Sequence, residues 1–331
     1  MASVSFGEET GWRSVVLESD VLRVVVLPDK GAEIHRLVHR ESDVDVLFHG
    51  PWGLRPPGAA PLEGSGDDEF MWNYAGGWQE LFPSVNESCA YGGRRIPFHG
   101  EVATLPWKHE VLSNGGEGRV AVRFTTQCRA TPFELERTLR VEDGRPELEI
   151  ESVATNVGDE PAHFVWGQHC VLGAPLLADG CTLELPARTI VTRPELWEPE
   201  TAALAPGQRE AWPNARLRDG GRLDLREIPG PERRSHDDIY VGDLETTSLS
   251  VSNPHLGLTF RLDWSPAELA WVILWQAYGG ADAPPLTGSY ALGVEPWTSR
   301  LNLEDALAAG EAIELAPGGR FATRFAAGVT R

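Results

Sequence analysis

Alternation of polar and apolar residues is the feature that most constrains the fold of this 331-residue chain. In the segment ELEIESVATN, Leu148 and Ile150 alternate with three glutamates, which is the pattern of a half-buried antiparallel strand. The preceding EDGRP is a turn signal, so residues 133–156 are predicted to form a hairpin. A helical pattern occurs only in the short segment NLEDALAAG (302–310).

Segments rich in β-branched and aromatic residues predict further strands along the chain. They are residues 21–28, 119–128, 162–172, 181–192, 222–227, 238–252, 257–264, 270–277, 289–296 and 320–329. The acidic segment GSGDDEF (64–70) is typical of a solvated loop. No segment has linker composition and no fixed-period repeat occurs. We therefore predict an all-β fold, a large antiparallel β-sandwich with very little helix, in which residues 1–331 form one domain.

The charge balance narrows the choice of partner. The formal net charge is −20 and the sequence pI is about 4.8, so we expect neither nucleic acid nor an anionic membrane as a partner. A neutral small molecule fits this charge best. The chain has twelve tryptophans, a residue that often lines carbohydrate sites but more often packs in cores. The sequence does not indicate an oligomeric state.

Cysteine spacing and the N-terminal segment predict a cytoplasmic protein. Cys89, Cys128, Cys170 and Cys181 form no C-x-x-C pair, which is typical of free thiols in a reducing compartment. The first residues have no apolar signal-peptide core, and no segment resembles a membrane span.

The sequence predicts no cofactor and no metal. It contains none of the glycine-rich phosphate-binding motifs and no G-x-S-x-G. His35 and His39 are four residues apart, but their context is strand-like and a third ligand is missing.

Three other residues have contexts that suggest a site. His99 lies in RRIPFHGEV and His169 in FVWGQHCVLGAP, each close to a glycine that permits close approach to the backbone. Taken singly, each ring is more simply explained as a core residue that bonds a carbonyl. Glu295 lies in ALGVEPWTSR among mostly apolar neighbours. A carboxylate is seldom buried without a partner, so Glu295 is either an outward-facing strand residue or an acid held in a pocket.

The ordered set NYAGGWQELFPS, RRIPFHGEV, WGQHCVLGAP, HDDIYVGDL, LWQAYGG and LGVEPWTS resembles the aldose 1-epimerase (galactose mutarotase-like) family over essentially the whole chain. His99 matches the family's first histidine, and His169, 70 residues later, matches its second. Asp237, Gln276 and Glu295 match its later acidic, amide and glutamate positions. Leu172-Gly173 replaces the usual aromatic-Asn pair, and GGWQELFP suggests a divergent bacterial branch.

The resemblance implies a cofactor-independent mutarotase that interconverts the α and β anomers of a free aldose. Ring opening needs a base for the anomeric hydroxyl and an acid for the ring oxygen. Glu295 would be the base, with an ordinary pKa of ~4.3, and His169 the acid, with a pKa of ~6.5. Substrate-binding roles are implied for His99, Arg94, Arg95, Asp237, Gln276, Trp78, Trp166 and Trp297. Adjacent strand residues face opposite ways, so only one of the two arginines can face the pocket.

The same sequence is also compatible with three other functions. A protein of this fold can bind a carbohydrate without turnover. A hexose-6-phosphate mutarotase would use Arg94 and Arg95 for the phosphate, although the net charge disfavours this. A glycosidase or lyase would use Asp237 and Glu295 as a carboxylate pair, which would leave both histidines without a role.

Overall fold

The computed structural model of the protein describes residues 1–62, 64 and 68–331. Within these residues 27 strands and two short α-helices are formed. In chain order the strands begin with β1 (Ser3–Glu9), β2 (Trp12–Glu18), β3 (Leu22–Leu27), β4 (Glu33–His39), β5 (Val44–Asp45), β6 (Trp78–Leu81), β7 (Cys89–Tyr91), β8 (Arg94–Ile96) and β9 (Lys108–Asn114). They continue with β10 (Arg119–Gln127), β11 (Phe133–Glu142), β12 (Glu147–Asn156), β13 (Ala162–Phe164), β14 (Gly167–Gly173), β15 (Cys181–Glu184), β16 (Thr189–Thr192), β17 (Arg209–Ala211) and β18 (Asn214–Arg216). The last are β19 (Arg222–Asp224), β20 (Glu227–Ile228), β21 (Ser235–Gly242), β22 (Ser248–Asn253), β23 (Leu258–Ser265), β24 (Trp271–Tyr278), β25 (Tyr290–Trp297), β26 (Ile313–Leu315) and β27 (Arg320–Thr330).

Two large antiparallel sheets contain most of these strands. The larger has twelve strands in the order β1-β2-β3-β4-β6-β14-β25-β24-β21-β16-β17, with β5 beside β4. The smaller has nine, in the order β20-β15-β22-β23-β27-β12-β11-β10-β9. Apolar side chains from both sheets, such as Leu274 and Val294 from the larger and Phe124 and Ile150 from the smaller, share one buried core. The predicted β-sandwich is therefore confirmed.

The predicted hairpin at 133–156 is confirmed as β11 and β12, which pair from Phe133–Asn156 to Arg140–Glu149. Several predicted strands are instead two strands. Residues 181–192 and 238–252 each divide between the two large sheets, because the chain turns from one layer to the other within the apolar run, and residues 162–172 divide between the small β13–β26 sheet and the larger sheet. Periodicity alone does not reveal such a crossing.

The helix predicted at 302–310 is present as α2 (Leu303–Ala309). Asn302 caps its first turn, and Gly310 ends it with a φ of 72°. A second helix, α1 (Glu69–Asn73), was not predicted. It begins inside the acidic segment 64–70, so the loop prediction is wrong for Glu69 and Phe70, while residues 65–67 lie outside the described residues. None of the helices in the described ranges is long and apolar enough to cross a membrane.

A buried ion pair lies between the sheets. Arg137 on β11 and Glu80 on β6 are both fully buried, with Arg137 Nε 3.2 Å from Glu80 Oε2. Glu80 also accepts hydrogen bonds from Trp166, Gln168 and Ser152. Removing one member of such a pair leaves an uncompensated charge in the core.

We expect Arg137→Met to lower the free energy of unfolding by about 3–5 kcal/mol, because Glu80 would lose its cation. The matched control is Arg140→Met on the same strand, whose partially exposed ion pair with Glu151 should contribute about 0–1 kcal/mol. Urea denaturation of both variants measures the difference. Equal losses would contradict a structural role for the buried pair.

Candidate active site

Four neighbouring strands of the larger sheet, β14, β25, β24 and β21, build the floor of a cavity. Because side chains alternate between the two faces, every second residue on these strands points away from the sandwich core. Eight of the outward side chains line the cavity: His169, His236, Asp238, Tyr240, Ile273, Trp275, Glu295 and Trp297. The inward residues between them, such as Cys170, Leu274 and Val294, belong to the core.

Helix α1 and several loops complete the walls. They supply Phe70, Met71, Tyr74, Asn86, Phe98, His99, Arg193, Trp197 and Leu286. The cavity has a free volume of about 70 Å³, and its lining is mostly apolar with a few convergent polar groups, which is the pattern of small-molecule sites. The aromatic rings are in contact with the histidines: Phe70 lies edge-on to both His99 and His169.

Glu295 on β25 and His169 on the neighbouring strand β14 lie side by side. The flanking pairs Gly167–Trp297 and Val171–Gly293 place them at opposite positions in the ladder. Glu295 Oε1 is 3.8 Å from His169 Nε2, and both residues are buried. The structure thus brings together the two residues that the sequence predicts to be the acid–base pair.

Hydrogen bonds beneath the cavity define the proton position on His169. Gln79 donates through Nε2 to Glu33 Oε2 at 2.7 Å and to the carbonyl of Gly76, so its amide oxygen faces His169 Nδ1 at 3.1 Å. That oxygen can only accept, and His169 therefore carries a proton on Nδ1. Its Nε2 lone pair is left to face Glu295.

Glu33 is the charged end of this chain of contacts. Burial opposes its ionisation, but Lys30 and His35 outweigh burial and lower its pKa to about 2. Lys30 Nζ contacts Glu33 Oε2, and His35 Nδ1 lies 3.2 Å from Oε1. The carboxylate is thus ionised at neutral pH and holds the amide of Gln79 in one orientation.

The ordinary pKa values expected for Glu295 and His169 are wrong, because both groups are buried. Burial, with a smaller contribution from Asp238, raises the pKa of Glu295 well above its ordinary value. Burial also lowers the pKa of His169 to about 3. Both shifts have the same physical cause, because a charged group loses its hydration in the cavity. Burial therefore favours the protonated form of Glu295 and the neutral form of His169.

His99 lies on the wall beside this pair, in a backbone conformation with a φ of 61°. Its Nδ1 accepts a hydrogen bond from the backbone N–H of Asn86 at 3.1 Å, so the proton of the neutral ring lies on Nε2. Burial first, and then His169 and Arg193, lower the pKa of His99 well below its ordinary value. His99 is thus a neutral hydrogen-bond donor whose ring centroid is 5.3 Å from that of His169.

A second polar group of the cavity surrounds Arg193. Its Nε is 3.3 Å from Asp238 Oδ2, and its other nitrogens donate to Glu87 at 2.5 Å and Asn86 at 2.7 Å. The guanidinium lies 5.6 Å from the ring centre of Trp197 and 5.8 Å from that of Tyr240. Arg193 therefore adds no uncompensated positive charge to the cavity.

His236 is held by two hydrogen bonds on the same floor. The indole N–H of Trp275 donates to its Nε2 at 2.6 Å, so that nitrogen has a lone pair and the proton lies on Nδ1, 2.9 Å from Glu198 Oε2. Glu198 also accepts from the backbone N–H groups of Asp282 and Ala283. Glu198 thereby connects its own segment of the cavity rim with His236 and with residues 282–283.

Several residues predicted to bind the substrate lie outside the cavity. Arg94 and Arg95 are both exposed: Arg94 donates to the carbonyl of Arg129, and Arg95 pairs with Asp68 at 3.5 Å. Neither lines the cavity, because β7 and β8 form a separate two-stranded sheet.

Asp237 and Gln276 lie opposite each other in the β21–β24 ladder. Strand alternation directs them away from the cavity, and Asp237 instead accepts hydrogen bonds from the backbone N–H groups of Ala203 and Leu204. Its neighbour Asp238 faces the cavity.

Of the three predicted tryptophans, one lines the cavity. Trp297 does so, and its indole N–H donates to the carbonyl of Gln168 at 3.0 Å. Trp78 and Trp166 are fully buried in the sandwich core, where their indoles donate to Gln168 and Glu80.

Sequence reasoning missed Asp238, Arg193, Tyr74 and Trp275 as cavity residues. The signal for Asp238 was present, since alternation in HDDIY groups it with His236 and Tyr240 on one face. Tyr74 and Arg193 lie on non-strand segments whose position no periodicity predicts. Across residues 1–62, 64 and 68–331, no group of three or more His, Cys, Asp and Glu side chains is arranged to hold a metal ion.

A family described as "Domain of unknown function (DUF4432)" matches residues 9–329. The chain belongs to this family. A search of curated proteins finds no match. Among solved structures, a candidate aldose 1-epimerase from Klebsiella pneumoniae is 14% identical with a TM-score of 0.74, covering 99% of this chain and 84% of that one.

Two other solved structures align with this chain over nearly the whole length of both chains. The Slr1438 protein of Synechocystis is 20% identical with a TM-score of 0.68, and 98% of each chain is covered. A galactose mutarotase-like protein from Lactobacillus casei is 17% identical with a TM-score of 0.62, covering 96% of this chain and all of that one. At these identities the DUF4432 chain shares the galactose mutarotase-like fold with them, as its sequence motifs predicted.

We expect Glu295→Gln to stabilise the protein, and the gain to grow as pH rises above about 4.5. A carboxyl whose pKa is raised on folding binds its proton more tightly in the folded state, so the wild type loses stability as pH rises from the unfolded toward the folded pKa. Gln cannot ionise and has no such loss. Thermal unfolding at several pH values between 4 and 8 measures the difference, and a wild type that gains stability relative to the variant would contradict a buried neutral Glu295.

Proposed function

We propose that this protein is a cofactor-independent mutarotase that interconverts the anomers of a neutral free aldose. The observation that carries the proposal is the pair formed by Glu295 and His169. One is a buried acid that holds its proton and the other is a buried base with a defined lone pair, 3.8 Å apart at the floor of one cavity. Ring opening of an aldose needs such a pair and no other reagent.

In the proposed reaction, His169 Nε2 takes the proton of the anomeric hydroxyl while Glu295 gives its proton to the ring oxygen. The C1–O5 bond breaks, and C1 becomes the carbonyl of the open-chain aldehyde. Rotation about C1–C2 exposes the other face of that carbonyl. Reclosure returns one proton to the anomeric oxygen and the other to the pair, so no proton is gained or lost. These starting roles are the reverse of those that the resemblance implied, because burial favours the uncharged form of both groups.

The remaining polar side chains suit the hydroxyls of a neutral sugar. His99 offers an N–H, and Asp238 offers a carboxylate beside the Arg193 guanidinium. Trp275 and Trp297 supply apolar faces against which a pyranose ring can pack.

A phosphorylated sugar is less well supported. Arg94 and Arg95, which would have met the phosphate, are exposed and bound elsewhere. Among the described residues Arg193 is the one Lys or Arg side chain that lines the cavity, and Asp238 and Glu87 already neutralise it. A glycosidase is also disfavoured, since Asp238, the second carboxylate of the cavity, is engaged by Arg193.

Anomer exchange measured by NMR tests the proposal directly. The panel would include glucose, galactose, xylose and glucose 6-phosphate, with wild type, Glu295→Gln and His169→Asn run in parallel. We expect faster α/β exchange for at least one neutral sugar with the wild type, and a loss of about 10²–10⁴ in rate for either variant. Arg94→Ala, outside the cavity, should keep the wild-type rate.

Saturable line broadening without exchange would contradict turnover and favour a sugar-binding protein. Exchange that is specific to glucose 6-phosphate would contradict the neutral substrate.

The adjacent aspartates provide a matched test of the substrate-binding wall. We expect Asp238→Asn to raise the KM by about tenfold or more, since a hydrogen bond to a charged group contributes about 1.5–3 kcal/mol. Asp237→Asn changes the same group one residue away, but on the opposite face of β21, and should leave the KM unchanged. A larger effect of the Asp237 substitution would contradict the assignment of Asp238 to the sugar site.

A further inference from the structure

Gly293 lies on β25 two residues before Glu295, on the same outward face of the strand. It is opposite Trp275 on one neighbouring strand and Val171 on the other. Glycine is unfavourable inside a strand, because it adds backbone entropy to the unfolded state and provides no side chain to pack. Its presence at the centre of a twelve-stranded sheet therefore needs a physical reason.

Backbone conformation does not supply that reason. The φ of Gly293 is outside the left-handed region in which glycine is preferred, so an L-residue could adopt the same backbone. The reason is that a side chain at this position would have no space. A Cβ at position 293 would lie 2.3 Å from Glu295 Oε1, 3.2 Å from Glu295 Cδ and 2.9 Å from Trp275 Cβ.

These distances describe how the Glu295 side chain is arranged. Residues two apart on a strand are separated by about 6.6 Å along its axis, so a carboxyl that stood upright could not approach position 293 so closely. The carboxyl of Glu295 must fold back along β25 and occupy the space above Gly293. In this position its Oε1 is the oxygen that lies 3.8 Å from His169 Nε2.

We propose that Gly293 is a positioning residue, whose missing side chain provides the space that holds the Glu295 carboxyl beside His169. This inference rests on the proposed function for its effect on rate, but not for its effect on the carboxyl itself. The residue touches no substrate. It acts only through Glu295, and it accounts for the glycine in the LGVEP segment.

The primary test is Gly293→Ala. The added methyl group would displace the carboxyl from its position, and a misplacement of about 1 Å can cost about 10²-fold in rate. We expect kcat for anomer exchange to fall by about that factor while the KM changes little, since the substrate-binding wall of Asp238 and His99 is untouched. Gly328→Ala on β27 is the matched control, because a Cβ there would meet its nearest neighbours at 3.6 Å.

A second readout does not depend on turnover. The pKa of Glu295 can be followed by carboxyl ¹³C NMR, with its resonance assigned by its loss in Glu295→Gln. Because burial is the main cause of the raised pKa, displacement toward the open cavity should lower that pKa in Gly293→Ala. If the wild type were inactive toward every sugar, the proposed function would fail while this titration still decided the role of Gly293.

A double-mutant cycle covers the case in which Gly293→Ala is too unstable to assay. Glu295→Ala removes the group that the new methyl meets, so Gly293→Ala should cost less stability in that background than in the wild type. An equal cost in both backgrounds would place the conflict at Trp275 or the backbone and overturn the inference. An unchanged kcat together with an unchanged Glu295 pKa would overturn it as well.

Discussion

Glu33 is an ionised carboxylate buried beneath the candidate site, and a buried charge must be fully paired. Lys30 provides the charge compensation, His35 Nδ1 lies 3.2 Å from Glu33 Oε1, and the Gln79 amide donates a further hydrogen bond. Once its N–H groups are bound to Glu33 and Gly76, Gln79 can present only its oxygen to His169. The proton position on His169, and with it the Nε2 lone pair that faces Glu295, follows from a charge that does not itself line the cavity.

Burial has a second consequence at the site. It raises the pKa of Glu295 and lowers that of His169, and so favours the uncharged form of both groups. The same burial makes any ionised intermediate costly, and the short separation of the two groups offsets that cost, since opposite charges formed there attract in a low-dielectric environment. At neutral pH a surface pair with ordinary pKa values would instead be an ionised glutamate beside a largely neutral histidine.

Sequence alone predicted the sandwich and the proximity of Glu295 and His169, for identifiable reasons. Alternation in β12 and the ordered motifs around His99, His169 and Glu295 reflect constraints that are local in sequence. The expectations that differed from the structure concern the strand face on which a side chain lies, or the change that burial makes to its pKa. Asp237 and Asp238 are adjacent, and only the ladder with β24 shows which one faces outward.

The opposite fates of the tryptophans have the same origin. Trp166 and Trp297 are similar in local context, yet one lies in the core and the other in the cavity. The protonation of Glu295 could not be predicted, because desolvation depends on the α1 helix and the 193–197 segment that cover the sheet. Neither segment has a periodicity that predicts where it packs.

The net charge of the protein and the charge pairing inside the cavity both affect which ligand can bind. A net charge of −20 would oppose the approach of an anion, and among the described residues the cavity has no uncompensated cation to overcome that field, since Arg193 is paired with Asp238 and Glu87. A neutral sugar experiences neither effect. Its hydroxyls can meet donors and acceptors whose orientations are already defined by Asn86, Gln79 and Arg193, so little reorganisation is needed on binding. The acidic surface, the compensated arginine and the uncharged acid–base pair all favour the same substrate class, although each arises from a different part of the chain.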